Sequence, residues 1–268
     1  MRKLQFIYDM QLTFSKDLNN HIYTIKCMPQ NNDMQNISKA NLIIVPNEKY
    51  ETDIDSFGNK IFYGNIKKNH HIFHILLKGE ATVGLSFRHK ERNINKITIY
   101  KYQSKYTKPG EKILQFFENS YVKKENNYEI ALHLMKELYK EFTYEKGVTN
   151  VKTTAEEAMI IKKGVCQDYS HILLSLLRIK NIPCRYVVGM LYGEGFSHAW
   201  IEVFSHGYWY GLDPTNNMKV CERHLKISHG RDYHDCIVNK GILNGGGMQM
   251  QAVQVILEEK DDKNSFRS

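Results

Sequence analysis

No stretch of this chain approaches the ~18 uninterrupted apolar residues of a membrane-spanning helix. The first twenty residues mix charged and apolar side chains and lack the roughly 7–15-residue apolar centre of a secretory signal, so a cytoplasmic protein with no membrane partner is expected. Proline is scarce, 5 in 268 residues; together with 42% hydrophobic and 25% charged residues, that excludes a disordered or fibrous chain. The 5 cysteines are odd in number, scattered and never spaced CxxC, which argues against a disulfide framework and for free thiols. Acidic residues are in deficit, 29 against 37 basic ones, leaving a net charge of +8. Such an excess attracts polyanions, but the lysines are spread along the chain without a nucleic-acid motif. A solvated basic surface and no nucleic-acid partner are therefore expected.

A chain of this length can bury roughly 70–75% of its unfolded surface, enough for one large domain or two modest ones. Its first third is β in character. Phe6, Tyr8, Met10, Leu12 and Phe14 alternate with polar residues, the period of a half-buried strand. Further strands are expected at 22–28, 41–45, 60–64, 71–77, 81–87 and 96–102, with turns in PQNNDMQN (29–36) and SFGNK (56–60). Short strands divided by polar turns predict a sandwich-like antiparallel module.

The pattern changes after KYTKPGEK (105–112). Ile130, Leu134, Leu138 and Phe142 recur at i+4 and predict an amphipathic helix. A shorter helix should start at Thr154, with Glu157 completing a capping box, and stop at Gly164. A third, buried along Ile172, Leu173, Leu176 and Leu177, closes at KNIP (180–183). Strands then fit 184–191, 197–204, 208–213 and 248–259.

The opening of the third helix, GVCQDYSHILLSLL (164–177), raises the functional question. Cys166 falls in the first helical turn, where unpaired N–H groups and the positive end of the dipole favour a thiolate. Cys184, inside an apolar stripe, reads as packing. A thiolate nucleophile needs a base and a group to orient it. In GEGFSHAWIEVFSHGYWYGLDPTNN (193–217), His198 begins a strand that turns back into a second. If Ser205 and His206 form a two-residue turn, Phe204 pairs with Gly207 and His198 lies directly opposite Asp213. Cys166 is then nucleophile, His198 general base and acid, and Asp213 the orienter.

Three blocks, GVCQDYSHILLSLLRIKNIPCRYVVGM (164–190), SHAWIEVF (197–204) and WYGLDPTNN (209–217), resemble the Cys, His and Asp blocks of the transglutaminase-like superfamily, in particular its bacterial members with cysteine-peptidase-like cores. The N-terminal VPNEKYETDIDSFGNKIFYG (45–64) is similar to the β-sandwich that precedes such cores. The resemblance implies an α+β protein: an N-terminal β-rich domain over 1–110, a papain-like or transglutaminase-like catalytic core over 111–260 and a frayed tail at 261–268. In that core a helix bearing Cys166 packs on an antiparallel sheet bearing His198 and Asp213. It further implies acyl transfer, with the oxyanion held by the Cys166 N–H and by a second donor for which Tyr144 and Gln167 are candidates. Trp200 is expected to wall the site.

Other clusters carry less. His70 and His74, four apart in NHHIFH, suit a metal only on a helix, and the surroundings are strand-like. Cys221 with His224, and His234 with Cys236, could be assembled into a zinc site but need no metal. NGGGM (244–248) does not open a helix as a phosphate loop would. The expected function is a cysteine hydrolase cleaving a peptide or isopeptide amide of a peptide or protein substrate, with no cofactor or metal. The alternatives are acyl transfer to an amine, and a non-catalytic interaction module.

Overall fold

The computed structural model describes residues 1–260; the tail expected at 261–268 lies outside the described residues. The alternating N-terminal pattern builds a strand much longer than anticipated, β1 (Arg2–Ile25). It is followed by β2 (Gln35–Val45), β3 (Tyr50–Ile54), β4 (Lys60–Ile66) and β5 (His70–Val83). The first half of β1 pairs with β5 and its second half with β4, while β2 and β3 extend the sheet outward. The strands expected at 71–77 and 81–87 are one strand, because Phe73, Ile75, Leu77, Ala81 and Val83 keep one parity and are all buried. The strand expected at 96–102 is instead a 3-10 turn, Ile94–Lys101. Its buried Ile97 and Tyr100 pack on Trp209, and a spacing of three is the period of that helix.

The second half begins with β6 (His89–Lys90), α1 (Glu111–Ser120), α2 (Asn127–Glu141), β7 (Thr143–Tyr144), α3 (Ala155–Ile161), β8 (Lys163–Gly164) and α4 (Cys166–Ile179). After α4 come β9 (Cys184–Leu191), β10 (Gly193–Gly195), β11 (His198–Ser205), β12 (Tyr208–Asp213), β13 (Met218–Lys219) and β14 (His224–Gly230). A second antiparallel sheet runs β13-β12-β11-β9-β14. The fold is α+β, and α4 lies on this sheet, with Ile172, Leu173, Leu176 and Leu177 packed among Tyr186, Val188, Ile201, Val203 and Leu212. Among the described residues no helix is long and apolar enough to cross a membrane.

The chain then returns to the first sheet. β15 (Asn239–Gly245) and β16 (Gln249–Glu259) run antiparallel to successive halves of β1, along the edge opposite β4 and β5. Residues 239–259, grouped with the core by the division at 110, thus complete the N-terminal sheet. Alternation identifies a strand but not the sheet it joins. β10 crosses as well, pairing Gly193–Gly195 with Leu257–Val255. Between the two sheets a cleft of about 400 Å³ opens, with Cys166 and His198 on one wall and Tyr8, Met10 and Leu12 of β1 on the other.

Candidate active site

The site starts from the turn before α4. Gly164 pairs with Tyr144 in the short β7–β8 ladder. A Cβ at Gly164 would collide with the Asp168 carboxylate, so only glycine lets the turn close. That carboxylate accepts from the Val165 N–H at 2.7 Å and from Thr149 Oγ1 at 2.7 Å, capping α4. Cys166, half-buried, therefore stands in the first turn, where the backbone N–H groups have no intrahelical acceptors.

His198 begins β11, with Ala199, Ile201 and Val203 turned into the helical core and Trp200 and Glu202 to the other face. The expected register is off by two. The turn is His206–Gly207, with φ of +48° and +85°, the mirror-image geometry that suits a tight hairpin and that glycine adopts freely. Phe204 consequently pairs with Trp209, and Asp213 lies diagonal to His198 instead of opposite it. An even shift preserves the face, and His198 Nε2 donates to Asp213 Oδ2 at 2.8 Å. The other ring nitrogen is left for Cys166. Burial would lower the His198 pKa, but hydrogen bonding and charge from Asp213 and Cys166 override it and push it up to about 10.

Asp213 is fully buried. Besides His198, its Oδ1 accepts from the N–H groups of Thr215 at 3.1 Å and Asn216 at 3.3 Å, and its Oδ2 from Asn216 Nδ2 at 2.7 Å and His224 Nε2 at 3.1 Å. Burial alone would raise its pKa; the His198 and His224 bonds hold it far below the ordinary carboxylate range. His224 Nδ1 accepts from the Cys221 N–H at 3.4 Å, which assigns the proton on Nε2 and makes it the donor to Asp213. Burial lowers the His224 pKa, so the ring serves as a neutral donor.

His224 is the residue that sequence reasoning misplaced. It stands beside Cys221 as anticipated, but its working contact is with Asp213. His198, Asp213 and His224 have donor atoms within 4.8 Å of one another, the one such grouping among the described residues, and hydrogen bonds already join them. His70 and His74 do not meet: His70 Nε2 accepts from His21 Nδ1 at 3.2 Å and His74 Nε2 bonds Asp9 at 2.8 Å. His234 and Cys236 share a 3-10 turn, where Cys236 is buried against the Tyr186 carbonyl. Gln167 spends its amide on the Val151 carbonyl at 3.4 Å. Trp200 does not wall the cleft; it is buried edge-on to His224, with ring centroids 5.3 Å apart.

Removing the His224 donor by His224→Leu should slow Cys166 alkylation by about tenfold or more, the usual cost of losing a supporting partner. It should also move the acidic limb of the pH profile upward, since Asp213 then takes up a proton more readily. His224→Gln, which retains an N–H, should recover most of both. An unchanged profile in His224→Leu would assign His224 to packing alone.

Residues 115–214 match the family model of the Transglutaminase-like superfamily. The chain is 40% identical over 114 residues to an uncharacterized protein of Mycobacterium leprae, covering 39% of this chain and 40% of that protein. It is 30% identical over 147 residues to an uncharacterized protein of Mycobacterium tuberculosis, covering 49% and 47%. It thus spans less than half the length of these curated relatives. Among solved structures, one described as "a Putative Cysteine Protease from Cytophaga hutchinsonii" superposes with a TM-score of 0.79 over 98% of this chain and 92% of that one. At 20% identity this likeness establishes a common fold.

Proposed function

Because the core of this chain belongs to the transglutaminase-like superfamily, we propose that the protein is a cysteine-dependent hydrolase of peptide or isopeptide amides. One observation carries this function: Cys166 at a helix N-terminus faces an imidazole whose other nitrogen is held by a buried, multiply bonded carboxylate. A packing cysteine requires no such partners.

In the proposed reaction the Cys166 thiolate attacks the amide carbonyl carbon, and the oxyanion forms against the Cys166 N–H. His198, protonated, gives its Nδ1 proton to the amide nitrogen as the C–N bond breaks, leaving a thioester. Neutral His198 then takes a proton from water as the water oxygen attacks the thioester; the acid departs and the thiolate is restored. In this proposal the second oxyanion donor is Tyr144, whose hydroxyl neighbours Cys166. Burial and the neighbouring Cys166 raise the pKa of its hydroxyl, which remains a donor at neutral pH.

The test is digestion of an unstructured peptide library, read by mass spectrometry with and without a primary amine. Wild type is expected to generate new carboxyl termini at least about 10³-fold faster than Cys166→Ala. Products carrying the amine would instead assign transfer. Absence of any Cys166-dependent product would sink the catalytic assignment.

A further inference from the structure

β16 has a neighbour on its outer edge only at Val255–Leu257, where β10 pairs with it. From Gln254 back to Gln249, and along all of β15, no strand among the described residues occupies that edge. β10 vacates it at Gly195, and the next three residues are Phe196, Ser197 and His198, all on the cleft. An open sheet edge is a template for strand addition, and here it begins where the chain departs towards the imidazole.

The backbone presents the groups such addition needs. Met248 turns its carbonyl inward to the Ser15 N–H at 3.0 Å. Alternation along the strand then directs the N–H and C=O groups of Gln249, Gln251 and Val253 outward. These same residues line the cleft, Val253 and Gln251 standing opposite Met10 and Leu12 of β1. Across the mouth, Phe196 is 65% exposed and Val151 52% exposed, which gives an apolar substrate side chain surface to cover there.

We propose that the substrate is an extended polypeptide segment, which adds to the vacant edge of β16 as a strand antiparallel to it, continuing the line of β10, with an apolar side chain facing Val253 and Phe196. This rests on the thiol-nucleophile function above. It narrows the substrate class to chains that can extend, and excludes small amides and side-chain amides held on folded surfaces as preferred substrates.

The probe is an N-acetyl tetrapeptide chloromethyl ketone with apolar side chains, compared with the single-residue ketone and with iodoacetamide. All three alkylate Cys166 without requiring turnover. In wild type the tetrapeptide should label Cys166 faster than the single-residue ketone by about tenfold or more, the worth of one or two backbone hydrogen bonds. Gln251→Pro removes an outward N–H and is compatible with an edge position. It should lower the ratio of tetrapeptide to iodoacetamide labelling to that of the single-residue ketone, while Gln251→Ala, which keeps the N–H, preserves the ratio.

N-methylating the tetrapeptide should abolish the advantage on the unaltered protein, so the test survives a Gln251→Pro chain that fails to fold. A length advantage indifferent to both changes, or none in wild type, overturns the proposal. So does a dimer that dissociates on Gln251→Pro without a length advantage, which would assign the edge to a second copy. Failure of the hydrolytic function appears separately, as labelling that depends on length without cleavage in the library digest.

Discussion

Cys166 is expected to react with iodoacetamide at about pH 6 faster than the four other cysteines, and His198→Ala to erase that lead by about 10²-fold. At that pH an ordinary thiol is ionised to roughly 0.3%, so a partner that keeps the thiolate charged has about that much to contribute. The protein supplies its own references. Cys27 and Cys184 are buried, and burial pushes their thiols up to about 12 and about 11; Cys236 is buried and raised as well. Cys221 is half-buried like Cys166, but its histidine neighbour faces Asp213. Because the His198 proton is retained up to about 10, the reactive plateau should extend across neutral pH. Asp213→Asn should lose much of the advantage too, since an amide presents the wrong hydrogen-bonding partner to Nε2. The measurement is peptide mass spectrometry of timed alkylation; a Cys166 that tracks Cys221 at every pH would remove the physical basis for catalysis.

What was legible in the sequence was what is local. The Thr154–Glu157 capping box forms, with Thr154 Oγ1 accepting from the Glu157 N–H at 3.3 Å and Glu157 accepting from the Thr154 N–H at 2.8 Å. The glycine–cysteine helix start was visible because both its causes lie within five residues. Helix α1 was not anticipated, since its N-terminal N–H groups are satisfied from elsewhere. Glu156 of α3 accepts from Gly110, Lys112 and Ile113 at 2.9, 2.8 and 3.1 Å, so no capping residue precedes the helix. His224 and the return of β15 and β16 were hidden for a related reason. Each depends on which strand lies beside which, and alternation specifies a face without specifying a neighbour. The His198–Asp213 contact survived a misassigned turn only because the slip was even.

Glu202→Ala is expected to cost about 3–5 kcal/mol of stability at neutral pH, the price of breaking a buried ion pair from one side. Glu202 of β11 stands opposite Arg185 of β9, and its Oε2 meets Arg185 Nε at 2.6 Å and Lys226 Nζ of β14 at 2.7 Å. Arg185 is 3% and Glu202 2% exposed, and the guanidinium lies 4.1 Å over the Trp209 ring. Truncation leaves two cations facing each other, with His89 and His229 beside them already pushed towards the neutral form by burial. The pH dependence has a definite sign. Burial would raise the Glu202 pKa, but Arg185 and Lys226 hold it at about 2 against an ordinary 4.5. Its contribution is therefore complete above pH 4.5 and is lost as pH falls towards 2. Lys226 is pushed the other way: burial and Arg185 lower it from 10.5 to about 8 in spite of Glu202. Between those values the unfolded chain binds the extra proton, so this group adds stability as pH rises. With Glu202 gone, Lys226 sheds its proton more readily still, and the deficit of Glu202→Ala should shrink at alkaline pH. Urea unfolding of both proteins at neutral and alkaline pH measures this. A deficit under about 1 kcal/mol at neutral pH, in the range of a surface ion pair, would show that the network is not what holds β9, β11 and β14 together behind the site.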